Sequence, residues 1–270
     1  MYKLQPDVPY TMPTCSRFRE PRPWEQGGMR YGKSTALSVS FLTERQAAER
    51  LLPEPFRLAA EPLVSVALAV NEDVDWLAGR GYNLVGVDVA AVFDGQVDRD
   101  VRGSYSAVMW ENMTEAIIGG REHSGIPKVY ADIPDPTEQN GTWRAAISHL
   151  GHPILELTVS QLTPVSAEGR ARLEQARRQA TWMGYKYVPR LENDGADVAY
   201  ATVYPTSGTC SAAWTGAGTI RFHPSSFQQN PTQYQLINLL AELPVRQIRS
   251  AARVVWEPLM ALDRLPRRLC

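Results

Sequence analysis

The sequence predicts a strand-rich chain in which an antiparallel or mixed sheet closes on itself, with few helices between the strands. Three observations carry this reading. Stretches rich in Val, Ile, Thr, Tyr and Trp recur in series from Thr35 onward, each bounded by Gly, Pro, Asn or Asp. Few helical periods separate them, which argues against the strand–helix alternation of a doubly wound parallel sheet. No repeat, low-complexity tract or linker divides the 270 residues, so residues 34–270 read as one domain able to bury a substantial core.

Residues 1–33 are rich in proline, glycine and charge and read as an irregular arm lying on the body or on a partner subunit. Thr35–Leu42 alternates as a half-buried strand. Thr43 then reads as an N-cap with Gln46 at the capping-box position, opening a helix through Leu52 that Pro53 and Pro55 stop. Strands follow at Leu63–Asn71, Asn83–Phe93, Gly103–Trp110, Thr142–Leu150 and Ile154–Leu162. Ala167–Thr181 is charged and helical, a solvent-facing excursion. Further strands are expected at Tyr185–Leu191, Val198–Tyr204 and Gly218–Phe222. Thr232–Leu243 is an amphipathic helix with Tyr234, Ile237, Leu240 and Ala241 on one face, ended by Pro244. Val245–Met260 resumes as a long alternating strand.

Composition excludes several functions. A net charge of −1 argues against a nucleic-acid partner, and arginine pairs such as Arg177-Arg178 and Arg267-Arg268 read as solvated faces. Three cysteines, Cys15, Cys210 and Cys270, give neither a disulfide framework nor a metal-binding spacing. The start of the chain lacks the apolar core of a signal peptide, and the longest apolar stretch, Leu63–Val70, is far below membrane-spanning length. A cytoplasmic protein with no membrane partner is therefore expected. His149 and His152 lack the companions of a metal site, no Gly-x-Ser-x-Gly elbow is present, and Gly216-Ala217-Gly218 precedes a strand and so cannot cradle a phosphate. The seven tryptophans read mostly as core.

The segment Gly119 to Lys128, Gly-Gly-Arg-Glu-His-Ser-Gly-Ile-Pro-Lys, says most about chemistry. Lysine is scarce: only Lys3, Lys33, Lys128 and Lys186 occur, so 24 of 28 basic residues are arginine. Lys128 follows a proline and a Gly-Arg-Glu turn that can hold it at the wall of a pocket. A neutral lysine amine adds to a ketone and forms an imine, which arginine cannot do. From the residues alone, an exposed loop lysine is the competing reading.

Gly120-Arg121-Glu122 followed by Gly125-Ile126-Pro127-Lys128 resembles the signature of the acetoacetate decarboxylase family. Leu51-Leu52-Pro53-Glu54-Pro55 resembles the family's early helix end, Ala213-Trp214-Thr215-Gly216 its later turn, and Leu243-Pro244-Val245-Arg246-Gln247-Ile248 the opening of its final strand. These motifs stand in the family's order across Thr35 to Met260. The resemblance implies an α+β fold, mostly antiparallel β, whose curved sheet forms a cone-like β-barrel with a few peripheral helices and an internal pocket. It also implies Lys128 as Schiff-base nucleophile, a small keto acid as substrate, no metal or organic cofactor, and a symmetric homo-oligomer. A free lysine titrates near 10.4, so the reaction needs an apolar pocket or a second cation that disfavours the ammonium form by roughly 4–5 kcal/mol; the activated lysine of acetoacetate decarboxylase is itself a standard example of this effect.

The chain departs from the family pattern at three places. Val129 stands where decarboxylases carry a second lysine, Leu84 where they carry a glutamate, and Ser34 where they carry an arginine that Arg30 can replace from the arm. Arg253 occupies the place of a histidine or tyrosine facing the family's active site; it can clamp a carboxylate, serve as the second cation, or be an ordinary paired strand residue. Arg121 and Glu122 are expected to pair, hold the loop and border the pocket. These departures imply a diverged lyase, by decarboxylation or by aldol condensation–dehydration, with a non-catalytic binding protein of the same fold as the alternative.

Overall fold

The computed structural model describes residues 3–4, 13, 28–261 and 266–270. Its elements run β1 (Gly28–Leu42), α1 (Arg45–Glu49), β2 (Phe56–Leu58), β3 (Leu63–Val74), β4 (Arg80–Phe93), β5 (Val101–Glu111), α2 (Thr114–Gly119), β6 (Lys128–Tyr130), β7 (Thr137–Gln139), β8 (Thr142–His149) and β9 (His152–Pro164). They continue with α3 (Ala167–Gln179), β10 (Trp182–Pro189), β11 (Ala196–Tyr204), β12 (Gly208–Phe222), α4 (Tyr234–Ala241), β13 (Gln247–Ala261) and β14 (Arg267–Arg268). Most of the expected N-terminal arm, with Cys15, lies outside the described residues. Its last part is not irregular: from Gly28 the backbone is strand, because it pairs with β13 on one side and β3 on the other.

The strands form one sheet of order β14-β11-β10-β5-β4-β3-β1-β13-β12-β9-β8-β7, with β2 added on β4 and β6 on β5. Its ladders are antiparallel except for the two that β10 and β6 make with β5. The sheet is curved but open, where a closed one was expected. Its end strands β7 and β14 span only 3 and 2 residues, too short a ladder to seal the edges together.

Alternation along the central strands divides large residues from small ones. Leu37, Val39 and Phe41 on β1, Val64, Val66 and Leu68 on β3, Val85, Val87 and Val89 on β4, and Val108 and Trp110 on β5 pack into the main core. Ile237 and Leu240 of α4 complete it, as the amphipathic reading of that helix expects. The intervening residues point to the other face, and many are small: Ser34, Ala36, Ala67, Ala69 and Gly86. Period-two geometry thus fills one face of the sheet and hollows the other.

Two local expectations fail for visible reasons. Thr43 does not cap α1; its N–H is committed to the Pro62 carbonyl, its hydroxyl is buried without a partner, and the helix shrinks to Arg45–Glu49. The Gly-Arg-Glu segment is not a turn. Residues Gly120–Ser124 continue α2 as a π-helical stretch, which Gly125 ends in the left-handed conformation at φ 69°. Among the described residues no helix is long and apolar enough to cross a membrane.

Candidate active site

The hollow face encloses a cavity of about 320 Å³, and Lys128 lines it. The lysine is 8% exposed, so it is not the surface lysine that its loop position permitted. It opens β6, which lies parallel to the end of β5 with Lys128 opposite Met109. Ladder partners continue that row through Gly86 and Ala67 to Ser38. Two of the row's floor positions are therefore glycine and alanine, which leaves room above them for a ligand.

Lys128 Nζ donates to Glu111 Oε1 at 2.6 Å and to the Ala116 carbonyl at 3.1 Å. Glu111 is fully buried, and its second carboxylate oxygen has no hydrogen-bond partner. Burial raises the Glu111 carboxyl above its ordinary range, while the charge and hydrogen bond of Lys128 pull it back down. The glutamate escaped sequence reading because the β5 strand was ended at Trp110. Continuing the alternation one more residue places Glu111 on the face opposite Trp110. It is also the ladder partner of Leu84, the position where the decarboxylase pattern expects a glutamate.

Gly120 makes room for the lysine. A Cβ there would stand 2.3 Å from Lys128 Cε and 2.8 Å from Nζ. Gly120→Ala is expected to push the amine off Glu111 and to cost about 1–3 kcal/mol through overpacking, which the melting temperature measures.

The other sequence-derived candidates divide sharply. Leu84 and Ser34 line the cavity. Arg121 does not; its guanidinium donates to the Lys128 carbonyl at 3.0 Å and so fixes the strand that carries the lysine. Glu122 is half-buried, makes no ion pair with Arg121 and lies outside the cavity lining. Val129 alternates away from Lys128 and packs against the main core, so no second lysine's role falls to it. Arg30 is exposed between cavity residues Met29 and Tyr31, with its backbone N–H on Asp75. Arg253 alternates with Val254 and Trp256 and faces the other way, stacked 4.6 Å from the ring centres of both Trp143 and Trp214.

Further cavity residues were missed. Trp76, Trp182 and Trp256 line it, although tryptophan reads as core; Trp256 is also buried with Cys210, Ala213 and Val254, while Trp110 and Trp143 pack in or against the main core. Tyr31 and Tyr82 share a hydroxyl contact of 3.2 Å, and burial holds both phenols above their ordinary range, so they remain protonated donors. Arg177, expected on a solvated face, enters the cavity from the last turn of α3.

Asp88, half-buried, is the second carboxyl lining the cavity. The register shift between Val87 and Asp88 sets Ser106 opposite Asp88. Ser106 donates to Oδ1 at 2.7 Å, Trp182 Nε1 approaches Oδ2 at 3.4 Å, and Tyr204 shares the Ser106 hydroxyl. Burial lifts Asp88 from 3.8 to about 6, against the lowering effect of the two hydrogen bonds. A carboxyl whose folded value lies above its unfolded one stabilises the fold below the unfolded value, and that contribution is lost as pH rises through the folded one. Wild-type stability is therefore expected to fall between pH 4 and pH 6 by about 2–3 kcal/mol from this group. Denaturant titration across that range should show a shallower fall in Asp88→Asn.

An open, curved, mostly antiparallel sheet with a buried lysine–carboxylate pair in an apolar cavity defines a class: proteins placing an amine where carbonyl chemistry is feasible. The chain belongs to the acetoacetate decarboxylase (ADC) family, whose model matches residues 9–264. It is 24% identical over 257 residues to the acetoacetate decarboxylase of Chromobacterium violaceum, covering 92% of this chain and 90% of that one. Among solved structures, acetoacetate decarboxylase from Legionella pneumophila superposes with TM-score 0.73 at 19% identity, over 90% of this chain and 88% of that one. The enduracididine biosynthesis enzyme MppR complexed with pyruvate superposes with TM-score 0.68 at 16% identity, over 97% and 98% of the two chains.

Proposed function

We propose that the protein is a Schiff-base-forming lyase acting on a small keto acid, diverged from authentic acetoacetate decarboxylase and serving a specialised biosynthetic route. The observation that carries this reading is the 2.6 Å contact between the buried Lys128 amine and the buried Glu111 carboxylate. Membership of the decarboxylase family supports it, as does the pyruvate complex of a protein with this fold.

In this reading Lys128 passes a proton to Glu111, and its free electron pair attacks the ketone carbon. The carbinolamine then loses water, the departing oxygen taking a proton from Glu111, and an iminium remains. That cation accepts the electron pair of an adjacent bond. A β-keto acid releases carbon dioxide; an α-keto acid such as pyruvate gives up a proton from the neighbouring carbon. Either path leaves an enamine, which protonation and hydrolysis discharge as product, or which adds to an aldehyde and then eliminates water. Leu84 and Val129, in place of the expected glutamate and lysine, favour the condensation–dehydration branch. No metal or organic cofactor takes part, and the working unit is a cytoplasmic homo-oligomer.

The same ion pair supports a second reading, in which Lys128 stays an ammonium and the protein binds keto acids without bonding to them. Exchange of the pyruvate methyl protons in heavy water, followed by NMR, separates the two. The lyase reading predicts exchange that requires Lys128. Binding of pyruvate with no exchange, and with no carbon dioxide from acetoacetate, contradicts it.

A further inference from the structure

The cavity holds a cation that the lysine chemistry leaves unused. Arg177 places its guanidinium carbon 4.7 Å from the ring centre of Trp256 and 6.0 Å from that of Trp182. Its Nε is buried with no hydrogen-bond partner. Both carboxylates that line the cavity are engaged elsewhere: Glu111 with Lys128, and Asp88 with Ser106 and Trp182. Among the described residues no carboxylate lies within ion-pair distance of Arg177. Burial pulls the guanidinium below its ordinary value, as expected of a desolvated charge lacking a counter-ion.

Its position in the fold fixes what it can read. Trp182 lies on β10 and Trp256 on β13, with β5, β4, β3 and β1 between them in the sheet. One guanidinium near both rings therefore bridges the gap across which the curved inner face comes together. Along β5, Trp182 is the ladder partner of Ser104, and Lys128 of Met109. At about 3.3 Å per residue those attachment points stand roughly 16 Å apart. Lys128 is turned toward Glu111, on the far side of Met109 from Ser104. The wall around the cavity is aromatic and aliphatic, including Trp182, Trp256, Leu84 and Met109. A volume of about 320 Å³ corresponds to roughly ten water-sized groups, so a four-carbon keto acid leaves much of it empty.

We propose that Arg177 is a specificity residue that binds a carboxylate at the far end of the substrate, and that the substrate is a keto acid with an aryl or extended apolar body between its carbonyl and that carboxylate. This deepens the lyase reading and rests on it for the carbonyl end alone. A planar guanidinium on a tryptophan face offers a fork of donors matched to a carboxylate. A carboxylate held there is retained through the reaction, because its carbon–carbon bond is not adjacent to the iminium and its electron pair has no sink.

The test uses the full chain and 3-(4-acetylphenyl)propionate, a ketone whose aryl ring lies between its carbonyl and a distal carboxylate, beside its methyl ester. Half-saturation of borohydride trapping is measured for wild type, Arg177→Met and Arg177→Lys. Wild type is expected to prefer the acid about tenfold to hundredfold. Arg177→Met is expected to erase the preference and Arg177→Lys to keep part of it. Equal trapping of acid and ester by wild type, or an unchanged preference in Arg177→Met, overturns the proposal. Phenylbutanoate, which has no carbonyl, isolates the anion site from the lysine chemistry. Its quenching of tryptophan fluorescence should saturate in wild type and weaken at least about tenfold in Arg177→Met. If no carbonyl compound is trapped but this quenching behaves as described, the lyase reading fails and the anion site stands. Quenching that Arg177→Met leaves unchanged sinks the anion site by itself.

Discussion

Lys128→Arg is expected to lower turnover, or methyl-proton exchange with pyruvate, by about a thousandfold or more. Arginine retains a positive charge for Glu111 but offers no neutral amine to bond with carbon. It therefore removes the chemistry while leaving the ion pair available. Lys128→Met removes both. It strands Glu111, which is fully buried, at a cost of about 3–5 kcal/mol before the carboxyl takes up a proton to relieve it. Comparing the melting temperatures of the two variants separates the lysine's chemical role from its structural one. Equal loss of activity with unequal loss of stability is the expected outcome. Turnover surviving in Lys128→Arg contradicts covalent catalysis.

Glu111→Gln should slow both imine formation and the later proton transfers. If Glu111 shuttles the proton between the amine, the departing oxygen and the enamine carbon, neutralising it costs about 10²–10⁴-fold in kcat. The borohydride adduct should still form on Lys128 but more slowly, because the nucleophile remains while its proton acceptor is gone. Glu111→Gln with wild-type kcat assigns the carboxylate a structural role only. Direction of the pH dependence adds a check. Burial sets the Glu111 carboxyl above its ordinary range, so like Asp88 it weakens the fold as pH rises through its folded value, and Glu111→Gln removes that share of the slope.

Much of the fold and one pole of the site were legible in the sequence. Leu63–Asn71 and Asn83–Phe93 alternate over enough residues for strand period and buried face to be read directly, and β3 and β4 contain them. Ladders held by neighbours were not legible: β2, β6, β7 and β14 are two or three residues long and exist because an adjacent strand supplies their hydrogen bonds. Lys128 stood out through a motif of fixed spacing. Glu111 and Arg177 did not: Glu111 meets Lys128 across the β5–β6 ladder from 17 positions away in the chain, and Arg177 sits on a helix with no buried residue and reaches its tryptophans across the curved sheet. Arg253 shows the converse error. Its place in the motif order suggested the pocket, but strand parity turns it to the opposite face, between two tryptophans.

Reductive trapping tests the central claim most directly. The protein is incubated with pyruvate or acetoacetate, reduced with borohydride, weighed intact and then mapped by peptide. The lyase reading predicts one adduct per chain, located on Lys128 and missing in Lys128→Arg. An intact mass left unshifted by every ketone offered, or an adduct that persists in Lys128→Arg, contradicts it.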